Sequence, residues 1–543
     1  MSDVGAPAAV FEADLSSQGE VFPLLLLALG LRFVQTTPRA SRLYCRARVE
    51  HLLSPEALRT LCDWLLTEPQ FTQLLPDVPE LRRLQDDFAR EYPLAFLASQ
   101  RLVLAGGQVI LDLLITKDAE ALSDGLTVAA TLETCRVRRL HDQWKPRVAI
   151  LGSGLAGCNL AAALATRGAR VSVFERSSTP HTGASGNRQG ALYIKPALAW
   201  SRENRLHVLS YLFAHRFYQR HFAETQSTQQ PWSHCGVLHL AQNDRELQRI
   251  AQLHAQAIYP QRFIRPLARQ EAADMAGAQL DCPAAAMPHG GSLEPAKLCQ
   301  RLLQHHDLRV LTGQHLNESD WDAVVWAGGH PQANDPLSPS ALPLRPIRGQ
   351  ISSIRVKAND STTLNAMPKQ VLSGDGYVMP PLQSEADSTW LTFGASYAVN
   401  RLDREISEIE MADNSRQLAK TLPELAARLE STQLHREERA AIRCASTDYM
   451  PVVGQALREH LGINEQPDSE IAKTLSGDRR LWFMTAFGSK GLALAPLLAE
   501  QLACTILGEP TPLEPDLADG CDPRRWARRA ALKGYSPSTG GTG

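Results

Sequence analysis

The sequence predicts an α/β protein whose main part is a Rossmann-type dinucleotide-binding domain. The apolar segment 147–151 (RVAIL) has the composition of a buried strand, and the glycine-rich turn 152–157 (GSGLAG) follows it directly. An Ala- and Leu-rich segment then extends to about residue 167, and a second apolar segment, 170–174 (RVSVF), ends at an acidic residue. Strand, turn, helix and strand in this order form a βαβ unit.

Each glycine of the turn has a separate task in binding a dinucleotide. Gly152 permits the tight turn, Gly154 lets the backbone approach a pyrophosphate, and Gly157 lets the helix pack closely on the strand. The free N–H groups and the positive end of the helix dipole then face the phosphates. Glu175, at the end of the second strand, stands where an acid binds ribose hydroxyls.

Three later segments distinguish FAD from a nicotinamide cofactor. The segment 183–193 (GASGNRQGALY) combines small residues with polar donors, 327–329 (AGG) follows the strand 322–326, and 486–492 (AFGSKGL) opens a helix predicted over 493–507. Together they resemble the FAD-binding pattern of the D-amino-acid-oxidase/glycine-oxidase superfamily. That resemblance assigns the following residues to the cofactor: Ser185, Asn187, Arg188, Gln189, Gly488, Lys490, Gly491 and Leu492.

Four motifs make the resemblance more specific. The segments 183–193, 349–352 (GQIS), 443–454 (RCASTDYMPVVG) and 487–492 (FGSKGL) are similar to the oxidoreductase half of the MnmC family, over about residues 146–535. The resemblance implies a Rossmann-type FAD-binding domain with an inserted α+β substrate domain. Its nucleotide-binding part is expected at about 146–230, 320–345 and 440–510, with the substrate part mainly between.

The resemblance also implies a reaction on tRNA. The family's FAD domain removes the carboxymethyl group of 5-carboxymethylaminomethyl-(2-thio)uridine at the wobble position and leaves 5-aminomethyl-(2-thio)uridine. The reactive part of that substrate is a glycine, so a carboxylate anchor is needed. Arg443 is the expected anchor because its planar fork matches a carboxylate. Tyr377 is expected to cover the substrate, although a buried structural tyrosine would give the same sequence pattern.

The expected tRNA contact is the C-terminal segment 522–534, whose cations surround Trp526. Arginine and lysine neutralise phosphates, and an aromatic ring stacks on bases. A solvated helix face is the alternative interpretation. The cations are Arg524, Arg525, Arg528, Arg529 and Lys533.

The region before the glycine turn departs from the family pattern. The family carries a S-adenosylmethionine-dependent methyltransferase there, whereas residues 1–140 are shorter and show only Gly19 where a glycine-rich cofactor loop is expected. Glu50 ends a predicted strand, Lys117-Asp118 replaces an expected Gly-Asp pair, and Ser54–Thr67 has a helical pattern. We therefore expect a truncated, degenerate α/β methyltransferase-like domain in which S-adenosylmethionine binding is doubtful.

Composition limits the remaining possibilities. The net charge is −2, which gives no sign of a DNA-binding chain, and the ten cysteines contain no C-x-x-C pair, which disfavours a zinc site or redox dithiol. The apolar run 21–31 is too short to span a bilayer. These features predict a cytoplasmic protein without a membrane partner or metal, with a disordered tail at 536–543.

Three alternatives remain open at the sequence level. One is a bifunctional enzyme that also methylates the aminomethyl group, and another is a free amino-acid oxidase of the glycine or sarcosine type. The third is an FAD-bound RNA-binding or scaffolding protein without turnover.

Overall fold

The computed structural model describes two compact units, Met1–Lys145 and Pro146–Gly543. The described residues are 10–11, 41–49, 99–104, 109–115, 130–139, 145–222, 231–304, 308–312, 320–332, 335, 337–385, 388–430, 434–457, 460 and 481–532. Several expectations concern other residues and lie outside this set: the apolar run 21–31, the helix 54–67, the loop region 12–20, Glu50, Lys117-Asp118, Lys533 and the tail 536–543.

The described strands of the first unit form one mixed sheet. They are Val10–Phe11, Ser41–Val49, Ser99–Leu104, Val109–Ile115 and Ala130–Arg139. Ser99–Leu104 and Val109–Ile115 pair antiparallel, and Arg101 forms a bidentate ion pair with Asp112 across this pair at 2.6 and 2.8 Å. The methyltransferase-like character of this unit stays a prediction.

The second unit begins with a six-stranded sheet. In spatial order its strands are Leu308–Thr312, Arg170–Glu175, Arg147–Leu151, Ala323–Trp326, Leu481–Thr485 and Val452–Gln455. All neighbours are parallel except the last pair. The predicted βαβ unit is therefore present, and the edge strand Leu308–Thr312 adds a segment that the predicted nucleotide-binding part does not include.

A second, larger sheet forms the inserted part. Its main path runs through Arg265–Leu267, Ala284–Met287, Val237–Leu240, Val371–Ser373, Tyr377–Val378, Ser388–Gly394, Leu344–Lys357 and Ala398–Val399, with Leu382–Glu385 and His435–Ser446 attached. The long strands Leu344–Lys357 and His435–Ser446 pair antiparallel with Ile347 opposite Arg443. Arg443 therefore lies on a strand of this sheet, here called the substrate sheet, three residues before that strand ends.

A small three-stranded sheet and eleven described helices complete the second unit. The small sheet contains Gly190–Leu192, Trp232–Ser233 and Gly291–Leu293. The helices are Leu155–Ala165, Arg202–Phe222, Asp244–Ala255, Arg269–Ala276, Pro295–Leu302, Ser361–Asn365, Glu408–Thr421, Pro423–Glu430, Gly491–Leu507, Pro515–Cys521 and Arg525–Leu532.

Two apolar cores hold these layers together. One packs Glu408–Thr421 and Pro423–Glu430 against the large sheet through residues such as Leu418, Leu425 and Phe393. The other joins the strands of the six-stranded sheet around Phe483 and Val324. The predicted class, a Rossmann-type domain with an inserted α+β domain, is confirmed for the second unit. Among the described helices, none is both long and apolar enough to cross a membrane.

Candidate active site

A cavity of about 1050 Å³ lies where the two large sheets of the second unit meet. This volume is at the upper end of the range for ligand pockets, roughly 300–1,000 Å³. Most predicted site residues line it, although they are up to 340 positions apart in the chain. The predicted residues in its wall are Gly152, Gly154, Glu175, Ser185, Asn187, Gln189, Tyr377, Arg443, Gly488, Gly491 and Leu492.

The glycine turn is packed so tightly that side chains would not fit. Gly152 has a φ of +114°, and a Cβ there would lie 2.7 Å from the carbonyl oxygen of Ala327. A Cβ at Gly157 would overlap the carbonyl oxygen of Gly152. The turn therefore brings bare backbone and the first turn of Leu155–Ala165 to the cavity, as a pyrophosphate site requires.

The carboxylate of Glu175 is fixed by the same turn. Its Oε2 accepts hydrogen bonds from the backbone N–H and the hydroxyl of Ser153, at 3.0 and 2.6 Å, and its Oε1 accepts one from Ser177 N–H at 3.2 Å. Glu175 also lines the cavity. The Glu175 carboxylate is thus held at the cavity wall, where it is expected to bind the ribose hydroxyls.

The segment 183–193 contributes a second wall. The Ser185 hydroxyl accepts a hydrogen bond from Leu155 N–H at 2.9 Å, which ties this segment to the start of the nucleotide-binding helix. Gln189 donates from Nε2 to the carbonyl of Pro380 at 3.0 Å, while its buried Oε1 has no partner among the described residues. An unpartnered buried acceptor at a cavity wall suits a ligand with hydrogen-bond donors.

Arg443 and Tyr377 lie together on the substrate side of the cavity. The Nη1 of Arg443 is buried and has no hydrogen-bond partner among the described residues. Burial raises the pKa of Tyr377 to about 12, Arg443 lowers it, and Tyr193 raises it. The three side chains are therefore neighbours, and Tyr377 carries a neutral hydroxyl at physiological pH.

A glycine makes room for the guanidinium of Arg443. Gly349 lies next to it on the neighbouring strand, and a Cβ there would overlap Arg443 Nη1. The motif 349–352 thus has a physical function: it leaves the space that the arginine fork occupies.

The comparisons with known proteins agree with this geometry. The family model described as FAD dependent oxidoreductase (DAO) matches residues 147–505. The chain belongs to this family. It is 36% identical over 401 residues to the "tRNA 5-methylaminomethyl-2-thiouridine biosynthesis bifunctional protein MnmC" of Hahella chejuensis, and 34% identical over 419 residues to that of Pseudomonas putida.

These relatives are longer than the matched part of this chain. The matches cover 70% and 72% of this chain but only 59% and 61% of the two relatives, so the chain spans about three-fifths of their length. The oxidoreductase part is thus related to MnmC, as the four motifs predicted.

Solved structures share the fold at low sequence identity. Glycine oxidase from Geobacillus kaustophilus is 19% identical with a TM-score of 0.52, and the match covers 68% of this chain and 97% of that enzyme. Iminodiacetate oxidase from Chelativorans sp. BNC1 is 20% identical with a TM-score of 0.50 and the same coverage. Both matches concern the fold alone.

Family membership makes FAD the cofactor of this cavity, and the residues present fit it. The glycine turn and the start of Leu155–Ala165 would hold the pyrophosphate, Glu175 the ribose, and the segments 183–193 and 486–492 the ring system. These individual assignments stay predictions.

Two predicted cofactor residues have side chains that do not line the cavity. The guanidinium of Arg188 lies 3.7 Å from the ring centroid of Trp390 and pairs with Glu437 at 2.6 Å. The ammonium of Lys490 lies 3.3 Å from His207 Nδ1 and 3.8 Å from Glu203. Both side chains thus make contacts within the protein and do not reach the cavity.

The C-terminal arginines also differ from the expectation of a free cationic surface. Arg525 is 3% exposed, hydrogen-bonds to both oxygens of Asp448 at 2.9 Å and lies over the Trp526 ring. Arg529 also pairs with Asp448, whereas Arg524 and Arg528 pair with Asp522. Arg525 is therefore unavailable to RNA phosphates, which corrects that prediction, and the other three cations are partly neutralised.

Asp448 is the anchor of this C-terminal network. Burial alone would raise the pKa of its carboxyl, but hydrogen bonds from Arg525, Ser446 and Arg529 hold that pKa well below its ordinary value. The segment 443–454, which contains Asp448, thus fixes the helix Arg525–Leu532 to the six-stranded sheet.

Sequence reasoning missed several residues of the cavity and its surroundings. Tyr193, Tyr397, Leu402 and Arg404 line the cavity, and of these only Tyr193 stands within a recognised motif. The sequence spacing of Cys158, His181 and Cys299 also gave no sign that these three buried side chains form a cluster next to the glycine turn. Their sulfur and ring nitrogen atoms lie within 4.8 Å of one another. The contacts of this cluster with Ser153 show that it supports the turn: the carbonyl of Ser153 is 2.6 Å from His181 Nδ1 and 3.0 Å from Cys158 Sγ.

Proposed function

We propose that this chain is a tRNA-modifying oxidoreductase that removes the carboxymethyl group from 5-carboxymethylaminomethyl-(2-thio)uridine at the wobble position. The product is 5-aminomethyl-(2-thio)uridine. Two facts support the proposal: the MnmC relatives are named for biosynthesis of a modified uridine of tRNA, and the cavity presents an arginine fork suited to the carboxylate of a glycine-like group.

The observation that carries the proposal is the unpartnered Nη1 of Arg443. A buried guanidinium nitrogen without a partner is costly, because a desolvated donor loses its hydrogen bonds to water. A substrate carboxylate would supply the missing acceptor and a bidentate pairing. The absence of a side chain at position 349 leaves the space that this fork occupies.

Tyr377 is proposed to close the same subsite. Burial keeps its hydroxyl neutral, so it would donate a hydrogen bond to the carboxylate and would not act as a base. Tyr377 belongs to the larger sheet and lines the same cavity as the nucleotide turn. Held between Arg443 and Tyr377, the substrate methylene would have a fixed distance from the cofactor ring.

The reaction balances as a two-electron oxidation followed by hydrolysis. Bound FAD supplies the oxidant for the methylene C–H bond. The C–N single bond of the substrate, R–NH–CH₂–COO⁻, becomes an imine, R–N=CH–COO⁻, with loss of a hydride and a proton. Addition of water to the imine carbon then breaks the C–N bond and releases R–NH₂ and glyoxylate.

The first unit is proposed to be a degenerate methyltransferase-like domain. This proposal rests on the sequence of residues 1–140, which lacks the expected glycine-rich loop. Calorimetric titration with S-adenosylmethionine tests it: no binding heat is expected. Saturable binding in the micromolar range would instead favour the bifunctional alternative, in which the aminomethyl product is methylated by the same chain.

A substrate panel tests the oxidoreductase proposal against the free amino-acid oxidase alternative. The purified FAD-loaded protein is mixed anaerobically with an anticodon stem–loop carrying the carboxymethylaminomethyl group, with glycine or with sarcosine, and flavin absorbance is followed. Rapid bleaching by the RNA and much slower bleaching by the free amino acids are expected. Faster reduction by glycine or sarcosine would overturn the proposal, and no reduction by any of them would favour a protein without turnover.

A further inference from the structure

A segment that carries several exposed apolar side chains lies beside the substrate side of the cavity and has no function in the reaction as proposed. The segment 396–409, here called the rim loop, follows the strand Ser388–Gly394, contains the short strand Ala398–Val399 and extends into the first two residues of the helix Glu408–Thr421. It contains five of the ten large hydrophobic side chains that are exposed among the described residues. Those five are Tyr397, Val399, Leu402, Ile406 and Ile409, with exposed fractions from 44% to 74%.

The rim loop is held rigidly despite its exposure. The fully buried Arg348 pairs with Asp403 at 2.9 Å and with Glu410, and it donates to the carbonyl of Glu405. Gln350 accepts a hydrogen bond from Ser407 N–H at 2.8 Å. A fixed, exposed apolar surface suits a binding function, because ordering it on binding would cost little further entropy.

The position of the rim loop connects it to the reaction site. Tyr397, Leu402 and Arg404 line the cavity itself, and Tyr397 is 56% exposed. The pKa of Tyr397 is raised by partial burial and by Tyr449, and lowered by Arg443, so its phenol lies near both side chains. Tyr449 is also 56% exposed. Tyr397 therefore stands in the cavity wall near the proposed carboxylate anchor, and Tyr449 is a second accessible aromatic ring near Tyr397.

A cation completes this surface. Arg404 is exposed, lines the cavity, and has no hydrogen bond or ion pair among the described residues. This distinguishes it from the C-terminal arginines, whose charges are partly neutralised by Asp448, Asp519 and Asp522. Aromatic rings next to an unpaired arginine are the chemistry with which proteins hold single-stranded nucleic acid.

We propose that Tyr397 and Tyr449 stack on the anticodon nucleotides that flank the target uridine, and that Arg404 contacts the phosphate between them. This inference rests on the proposed function, because it assigns the RNA part of the same substrate. A free nucleoside has no neighbouring bases to stack on Tyr397 and Tyr449, whereas a wobble nucleotide must arrive attached to its unpaired neighbours. The rim loop would thus give the site its preference for RNA.

The test compares two forms of one substrate. Anaerobic flavin reduction is measured with the modified anticodon stem–loop and with the free modified nucleoside, for wild type, Tyr397→Ala, Tyr397→Phe and Arg404→Gln. Loss of a stacked base lowers affinity by roughly 5- to 150-fold. Tyr397→Ala should therefore lower the kcat/KM ratio of RNA to nucleoside by that factor, and Tyr397→Phe should restore it because the ring is retained.

The contribution of the Arg404 charge can be measured separately. Arg404→Gln should lower the RNA-to-nucleoside ratio and reduce the salt dependence of RNA affinity by about one phosphate contact. Trp200→Ala is the matched control, since Trp200 is 41% exposed but does not line the cavity, and this variant should keep the wild-type ratio.

The possible failures can be told apart. If Tyr397→Ala changes both substrates equally or neither, the rim loop does not bind RNA and this inference is wrong, while the proposed function stands. If wild-type protein is reduced by neither the RNA nor the nucleoside, the proposed function itself fails.

Discussion

Replacing Arg443 by alanine removes the side chain on which the carboxylate site depends. The guanidinium lies in the cavity wall beside Tyr377, with a buried Nη1 that has no partner among the described residues. Because this nitrogen is already desolvated before substrate arrives, the protein has met part of the desolvation cost during folding. Little further cost then opposes the pairing with a carboxylate.

The size of the effect follows from the loss of one partner of a buried charge pair. Truncating such a partner costs about 2–5 kcal/mol. At about 1.4 kcal/mol for each tenfold change, Arg443→Ala should lower kcat/KM by roughly 30- to 4,000-fold. Most of the loss should appear in KM, since the carboxylate is bound in both the ground and the transition state. Arg443→Lys should recover only part of it because the fork is lost.

Anaerobic stopped-flow reduction of the flavin by the modified stem–loop measures this directly, with FAD content determined on the same samples. The matched control is Arg355→Ala, an exposed arginine of the same sheet that does not line the cavity. Both variants should retain full FAD. If Arg443→Ala keeps the wild-type kcat/KM, Arg443 does not bind the carboxylate; if it loses FAD, its role is structural.

Three further predictions concern the cofactor turn, acid stability and the C-terminal anchor. Gly157→Ala should abolish FAD retention, because its Cβ would overlap the Gly152 carbonyl; retention of stoichiometric FAD would contradict the packing. Four histidines have pKa values lowered by burial from 6.5: to about 3 for His207, 2 for His215 and 4 for His221 and His289. In the unfolded chain these histidines take up protons below about pH 6.5, whereas in the folded protein they do not. The free energy of unfolding should therefore fall on acidification, by roughly 1.4 kcal/mol per histidine at about pH 5.5. Chemical unfolding at about pH 7.5 and 5.5 measures this, and an unfolding free energy that does not change with pH would refute it. Arg525→Ala leaves the half-buried Asp448 without its main partner and should destabilise the second unit by about 3–5 kcal/mol. Urea unfolding measures this, with the exposed Arg524→Ala as the control. Equal unfolding midpoints for Arg525→Ala and wild type would contradict the anchoring function.

The nucleotide-binding fold was predictable because its signals are local. The run from Arg147 to Glu175 contains a complete βαβ unit, and its apolar period and glycine spacing determine the structure without help from distant residues. The edge strand Leu308–Thr312 was missed because no motif marks it, and its place in the sheet depends on pairing with Arg170–Glu175.

Side-chain direction limited the prediction of the site. Backbone motifs correctly bring Ser185, Gln189 and Gly488 to one cavity, but a motif does not say where a long side chain points. Arg188 and Lys490 extend to partners outside the cavity, and Asp448, the acidic partner of Arg525 and Arg529, comes from a distant part of the chain. The rim loop could not be predicted from the sequence for a related reason. Its exposure and its nearness to Arg443 arise only when the chain folds.

The most direct test of the central claim is a single-turnover reaction with analysis of the products. FAD-loaded protein is incubated anaerobically with tRNA carrying 5-carboxymethylaminomethyl-2-thiouridine, and wobble nucleosides and glyoxylate are quantified by mass spectrometry. The proposed function predicts one 5-aminomethyl-2-thiouridine and one glyoxylate for each flavin reduced. Unchanged nucleoside in the presence of fully loaded, oxidised flavin would contradict it.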